Sequence, residues 1–267
     1  MDPSTPPKII PAPGQHPDIK ADARRVFDVL RSGGVALVPT EVGYGLMASS
    51  TEAIQRAFAA KRRRPGHAQG IIGTYKLHRE LHLLSAARHK MIRTLHQDMD
   101  MSFGVVAPFR ADHPLLQQLT PATLANTTKN DTLAIYLGRG SLLVELGRLN
   151  DEAGQLMLGS SANLTGTGQK FRVEDIDQEI KDAADVIVDY GLQRYHVYGG
   201  RASTIIDFDN MKALRIGAEY ELLRERLRKY WGVDGFPEDP LFGNVEKRAR
   251  EEEGGIVCSE FLSLSDR

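Results

Sequence analysis

The sequence predicts an α/β domain built on a mixed β-sheet, and three observations carry that prediction. Short apolar runs of strand length alternate with stretches of helical periodicity along most of the chain. Several strand candidates lie too close together in sequence for helical crossovers, which argues against an all-parallel sheet. Over 267 residues, 41% are hydrophobic and 26% charged, enough apolar material for a sizeable core in a globular protein.

Taken in order, residues 1–17 hold six prolines among few apolar residues and read as a disordered or extended arm. Ala23, Val26, Phe27 and Leu30 recur at helical spacing over 21–30, and Ser32-Gly33-Gly34 ends that helix. Residues 35–38 form an apolar run that stops at Pro39, as a buried strand would. Residues 39–46 then read as a loop leaving it. Helical patterns follow at 53–62 and 77–95, with a strand at 70–73 between them. Further strands are expected at 104–107, 133–137, 155–158, 186–188 and 203–206, and helices at 142–149 and 173–182. A short turn leads to a last strand at 214–218, and 219–230 is a charged helix that closes the domain. The domain therefore runs over 18–230. Residues 231–267, rich in Gly, Pro and charge, read as a loose tail with a solvated acidic run at Glu251-Glu252-Glu253.

The net charge is −1, so nothing draws the whole chain toward nucleic acid or acidic membrane, and any anion site must be local. The single cysteine, Cys258, excludes an internal disulfide framework. No run reaches the ~20 apolar residues of a membrane span. The N-terminus lacks the basic and apolar regions of a secretory signal, which makes the cytosol the default compartment. His67, His96 and His113 have no second ligand at a binding spacing, so no metal site is expected.

Four motifs carry chemistry. Lys61-Arg62-Arg63-Arg64-Pro65 follows a helix and suits either a solvated helix end or a polyphosphate clamp. Gly159-Ser160-Ser161-Ala162-Asn163-Leu164-Thr165-Gly166 follows a strand. Its small residues let backbone N–H groups approach a ligand, although a polar turn would use them equally well. It is not a Walker A loop, because no Gly-Lys-Ser/Thr follows. Pro39-Thr40-Glu41-Val42-Gly43-Tyr44-Gly45-Leu46 can bring Thr40 and Tyr44 to a cleft floor. Arg201-Ala202-Ser203-Thr204 and Leu214-Arg215 could converge on an anion from adjacent strands, or stand on a surface hairpin.

In this order, Gly33-Gly34, Pro39-Thr40-Glu41 with Tyr44-Gly45-Leu46, Phe58-x-x-Lys61 to Arg64-Pro65, Ser161-Ala162-Asn163-x-Thr165-Gly166, Ser203-Thr204-x-x-Asp207 and Leu214-Arg215-x-Gly217 resemble the YrdC family of threonylcarbamoyl-AMP synthases, over roughly residues 18–220. The resemblance implies a RibB-like twisted mixed sheet wrapped by helices around a basic concave cleft. It implies ATP as cofactor, with Mg2+. In the family reaction an amino-acid N-carboxylate attacks the α-phosphorus and pyrophosphate leaves. By resemblance Lys61 and Arg64 occupy the family's Lys-x-Arg-Pro, with Arg62 able to replace Lys61. Thr132, Ser161, Asn163, Ser203 and Arg215 would hold the nucleotide. Glu41 and Tyr44 are the candidates for acid–base or orienting roles at the acceptor end, although a pocket glutamate can equally cap a backbone turn and Tyr44 can simply pack.

The threonine half departs from the family. Val42 stands for its second threonine, Gly73 or a neighbour for its strand histidine, and Tyr136 for its arginine. Residues 100–104 replace its Trp-Pro-Gly-Pro-Leu-Thr segment. Tyrosine cannot supply the charge of an arginine that pairs with a carboxylate. Arg139 lies three residues on, where strand alternation puts it on the opposite face from Tyr136. Thr40, Tyr136, Gly73 and Gly159 are thus the expected acceptor-side residues.

Three readings follow. The first is a nucleotide-binding enzyme that forms or uses a carbamoyl- or acyl-adenylate, its partners being ATP or AMP and a small carboxylate or amine other than threonine. The second is an L-threonylcarbamoyladenylate synthase for transfer-RNA modification. The third is a non-catalytic module that binds nucleotide or RNA, double-stranded RNA included. None involves a membrane.

Overall fold

The computed structural model describes residues 8–9, 16–62 and 69–239. Among these, eleven strands form one sheet: β1 (Lys8–Ile9), β2 (Val35–Thr40), β3 (Gly43–Ala48), β4 (Gly70–Gly73), β5 (Phe103–Pro108), β6 (Thr128–Lys129), β7 (Thr132–Leu137), β8 (Met157–Ser161), β9 (Val186–Val188), β10 (Ile205–Asp207) and β11 (Lys212–Arg215). They run in the order β1-β9-β2-β3-β8-β4-β7-β5-β10-β11, with β6 paired to β7. The pairs β1–β9, β9–β2, β4–β7 and β5–β10 are parallel and the others antiparallel, the mixed sheet that the strand spacing predicts.

The helices are α1 (Ile19–Arg31), α2 (Thr51–Ala60), α3 (Tyr75–Leu81), α4 (Ala86–Arg93), α5 (Pro121–Thr127), α6 (Ser141–Ala153), α7 (Gln178–Asp182) and α8 (Tyr220–Trp231). Alternation along β2 sends Leu37 to one face of the sheet and Ala36 and Val38 to the other. On the first face, Ile54 of α2, Leu81 of α3, Ile92 of α4 and Leu227 of α8 join the larger core. On the second, Val26, Phe27 and Leu30 of α1 pack with Leu142, Leu146 and Leu149 of α6. These two helices cover only part of that face. The remainder stays open and becomes the cleft.

Several elements differ from the sequence reading. Residues 39–46 form a hairpin rather than a loop, because Pro39 remains in β2 and Gly43 opens β3. Pro39 faces Tyr44, whose N–H donates to the Lys170 carbonyl instead of to β2, so the missing proline N–H costs no ladder bond at this pair. Residues 77–95 are not one helix. The chain turns extended at His82, and the Leu83 N–H donates to the Pro108 carbonyl. Ser85 then caps α4 by accepting from the Arg88 N–H at 3.3 Å. Helix is confined to Gln178–Asp182 within 173–182, and β8 starts and ends later than expected, taking in Ser160 and Ser161.

The α5 helix and β6 are additional. Asn130 and Asp131 both adopt left-handed backbone, with φ of 50° and 57°, and join β6 to β7 in a two-residue hairpin. Within the N-terminal arm, Lys8–Ile9 add a parallel strand to β9. The packed domain also extends past residue 230: Phe236 is buried and the Tyr220 hydroxyl donates to the Pro237 carbonyl at 2.7 Å. The acidic run 251–253 lies outside the described residues.

Candidate functional site

The open face of the sheet forms a cleft of about 740 Å³. Its floor is at backbone level, because neighbouring strands each turn a glycine or alanine toward it: Gly45 of β3, Gly159 of β8, Gly70 of β4, Ala134 of β7 and Gly104 of β5. A Cβ on Gly159 would meet the Met47 sulfur at 2.5 Å and Ile72 at 2.6 Å, so a side chain here would have to displace both. A Cβ on Gly70 would find its nearest neighbour, the Ala134 carbonyl oxygen, only at 3.8 Å. Among the described residues, nothing else lies within 4 Å of that position.

Along β7 the cleft runs from Thr132 to Tyr136, about 13 Å at the usual rise per strand residue. Around Thr132 the lining is polar, with Gln69, Thr127, Lys129 and Asn130. Around Tyr136 it is apolar, with Val42 from the hairpin tip, Met47 and Ile72. Arg215 enters from β11, its Nε donating to the Ser203 carbonyl and a terminal N–H to Ser203 Oγ, both at 2.7 Å. Among the described lining residues, Lys129 and Arg215 are the cations and Asp207 the carboxylate.

Of the residues expected from sequence, Thr40, Tyr44, Thr132, Tyr136, Gly159, Ser161, Ser203 and Arg215 line this cleft. The Thr132 hydroxyl donates to the Lys129 carbonyl at 2.7 Å, and the Thr40 hydroxyl to the Gly43 carbonyl at 2.6 Å. Gly73 is not brought in. A Cβ there would strike Leu77 at 2.8 Å, and β4 presents Ile72 to the cleft instead. Asn163 also stays outside the lining, its side-chain amide donating to the Leu164 carbonyl at 2.6 Å.

The basic helix end behaves differently from a clamp over its described part. The buried Lys61 ammonium donates to the carbonyls of Ser161 and Asn163, the latter at 2.9 Å, and so anchors the end of β8. Arg62 is exposed and pairs with Glu179 at 2.7 Å. Neither lines the cleft. Arg64 lies outside the described residues.

Glu41 is a structural anion. Helix α6 starts at Gly140, which has no side chain to cap it, and the Glu41 carboxylate accepts the backbone N–H groups of Arg139 and Gly140. It also accepts from Ser102 Oγ at 2.7 Å and from the Tyr136 hydroxyl at 3.4 Å. Burial first, and then the Glu41 charge, push the Tyr136 phenol well above its ordinary range. The Tyr44 hydroxyl is taken up by the loop after β9: it donates to the Gly191 carbonyl at 2.8 Å and accepts from the Tyr190 N–H at 3.1 Å. Burial also raises its phenol. Arg139 lies past the end of β7, is paired with Asp100 at 2.8 Å and does not line the cleft.

Sequence reasoning missed Gln69, Lys129 and Asn130. The Asn130-Asp131 pair is a legible turn signal that would have placed Lys129 and Asn130 on a hairpin. Gln69 precedes its strand and does not follow the strand's alternation, so nothing in the sequence singled it out.

A twisted mixed sheet, helices on one face and part of the other, and a glycine-floored cleft with one polar and one apolar end define a ligand-binding α/β domain. The chain belongs to the Sua5/YciO/YrdC family, whose model, described as "Telomere recombination", matches residues 28–217. Sua5 of P. abyssi, solved with L-threonine, is 20% identical with a TM-score of 0.65, over 86% of this chain and 62% of that one. The chain thus spans 62% of the length of that Sua5. The hypothetical protein smu.1377c of Streptococcus mutans is 18% identical with a TM-score of 0.67, over 87% and 97% of the two chains. Full-length HypF in its phosphate- and nucleotide-bound form is 15% identical with a TM-score of 0.53, over 74% of this chain and 28% of that one. These likenesses establish the fold. No curated protein sequence matches the chain.

Proposed function

We propose that this chain is a nucleotide-binding enzyme that forms or uses a carbamoyl- or acyl-adenylate with an acceptor other than threonine. The observation that carries this reading is the contrast between the two ends of the cleft. The acceptor end is lined by Val42, Met47, Ile72 and Tyr136, none of them charged. On the β3, β4 and β7 side an amino-acid carboxylate would find no cation, since Arg139 is held by Asp100; Arg215 stands level with Tyr136 but three strands away, on β11. The end suits a small acceptor with an apolar body, oriented by the protonated Tyr136 hydroxyl.

In the reaction, a carboxylate or carbamate oxygen of the acceptor bonds to the α-phosphorus. The bridging bond to the β-phosphate breaks and pyrophosphate leaves. Negative charge grows on the phosphoryl oxygens, and Arg215, fixed by two hydrogen bonds to Ser203, supplies an oriented cation for it. Lys129 places a separate positive charge at the polar end. Among the described lining residues, two cations facing one carboxylate fit a single small phosphate ligand better than the backbone of an RNA. Asp207 is taken up by its own turn, accepting the Asp209 and Asn210 N–H groups at 3.0 and 2.9 Å and the Asn210 amide at 2.9 Å, so a magnesium ion would be held chiefly by the triphosphate oxygens. HypF, which shares the fold, was solved with phosphate and nucleotide, and this supports an adenylate ligand.

Calorimetric titration with ATP, followed by pyrophosphate-release assays over threonine, apolar carboxylates and amines with bicarbonate, tests the reading. ATP should bind, and release should depend on an apolar carboxylate or amine. Threonine-dependent release would instead establish the threonylcarbamoyladenylate synthase activity, and a folded protein that binds no nucleotide would end the proposal.

A further inference from the structure

Gly45 and Gly159 face the cleft, yet neither has the left-handed backbone that commonly demands glycine. A glycine inside a strand then marks a close approach, and here the group that approaches is Met47. Met47 pairs with Gly159 in the register of β3 and β8, and a Cβ on Gly159 would lie 2.5 Å from its sulfur. A Cβ on Gly45 would lie 2.8 Å from its Cε methyl. The Met47 side chain therefore lies over both strands and fills the space that the two glycines leave. Ile72 closes the same space from β4, since a Cβ on Gly159 would meet it at 2.6 Å. On the far side of Gly159, Gly70 is level with it and a Cβ there would have no neighbour nearer than 3.8 Å. The open floor thus ends at β8, and the thioether forms its end wall.

We propose that Met47 is the residue that sets the length of the acceptor, restricting it to short apolar chains. This deepens the acceptor reading above and rests on it. Met47, Val42, Ile72 and Tyr136 belong to one apolar cluster, and they differ in what removing each would open. Beneath Met47 lie two glycines, so cutting its side chain back exposes bare backbone with no side chain below to refill the space. Its branched neighbour Ile72 is stiff at χ1 and resists swinging across. Tyr136 is held by the hydrogen bond from its hydroxyl to Glu41. A wall of this kind discriminates by length, because each methylene that an apolar pocket accepts or refuses is worth roughly tenfold or more in kcat/KM.

The test is pyrophosphate release by the full chain with ATP, over straight-chain carboxylates from acetate to octanoate and the matching primary amines with bicarbonate. The readout is the ratio of kcat/KM between longer and shorter members, which a general loss of stability or activity would not move. The wild type should favour short members, with kcat/KM falling roughly tenfold for each carbon beyond its limit. Met47→Ala should move that limit outward by about two or three carbons, the length of side chain removed, whereas Met47→Leu, which conserves volume, should keep it. Equal kcat/KM across the wild-type series, or an unmoved limit in Met47→Ala, would overturn the proposal while leaving the acceptor reading in force. Should Met47→Ala fail to fold, Met47→Val makes a smaller cut and should move the limit by about one carbon, and an unmoved limit there overturns the proposal equally. A folded wild type that releases no pyrophosphate with any member of either series overturns the acceptor reading itself.

Discussion

At the scale of single residues, a side chain's chemistry is set by what already occupies its polar atoms. Glu41, buried behind Tyr136, and Arg215, in the wall of the cleft, divide on this point. The Glu41 carboxylate is filled by two backbone N–H groups and the Ser102 hydroxyl, which makes it a cap for α6 and not a free base. Arg215 spends two N–H groups on Ser203 and keeps the rest for a ligand. Glu41→Ala should therefore lower unfolding free energy by about 3 kcal/mol in urea, since it strands buried donors. Arg215→Ala should weaken ATP binding by about 1–3 kcal/mol with stability little changed. The reverse pattern would assign the two residues wrongly. Sequence motifs indicated that both positions matter and left a capping role for Glu41 open, but the choice between the roles depends on which backbone amides lie within reach in three dimensions.

At the scale of elements, legibility followed the strength of the local pattern. The strands 70–73 and 186–188 were readable to the residue, as continuous apolar runs between breakers. The β3 strand was not, because Gly-Tyr-Gly has a loop's composition and becomes strand only through pairing with β2 and β8. The break between α3 and α4 was equally hidden. There, His82 bonds the Leu133 carbonyl at 3.1 Å, His78 meets His82 at 2.8 Å and His89 meets His78 at 3.0 Å. A carbonyl only accepts, so His82 carries its proton on Nε2 and the three rings form one directed chain of neutral imidazoles.

His78 presents opposite edges to its two neighbours, which makes the row unsuited to gripping one metal ion from all three rings. Burial lowers His78 to about 2 and His82 and His89 to about 4. His96, bonded to the Met101 carbonyl, falls likewise to about 4. Each folded-state value lies below the unfolded one near 6.5, so the stability these rings confer is full above that pH and is lost as pH falls toward 4. A buried histidine held near 4 forfeits ~2 kcal/mol by pH 5. The urea midpoint should drop clearly between pH 7.5 and pH 5, and an unchanged midpoint would contradict the neutral chain.

At the scale of the whole molecule, two features position the site. Helices α1 and α6 cover part of one sheet face, and glycines keep the uncovered part flat. The class of fold and the order of most elements could be read from alternating periodicities. The extent of the domain could not, because Gly- and Pro-rich residues past 230 looked like tail. Phe236 nevertheless packs into the main core, and Arg201 pairs with Glu221 at 2.7 Å and with Asp239. Phe236→Ala should cost roughly 3–5 kcal/mol, as loss of a buried aromatic does. A change below about 1 kcal/mol in denaturant unfolding would return these residues to the status of tail.

The central claim is that one cleft separates a nucleotide end from an apolar acceptor end. A crystal structure of the chain with ATP and magnesium tests this most directly. The account predicts the base toward the polar end beside Lys129 and Asn130, phosphates directed to Arg215, and free space left beside Tyr136 and Ile72. A nucleotide bound outside the cleft, or one whose base fills the Tyr136 end, would contradict it.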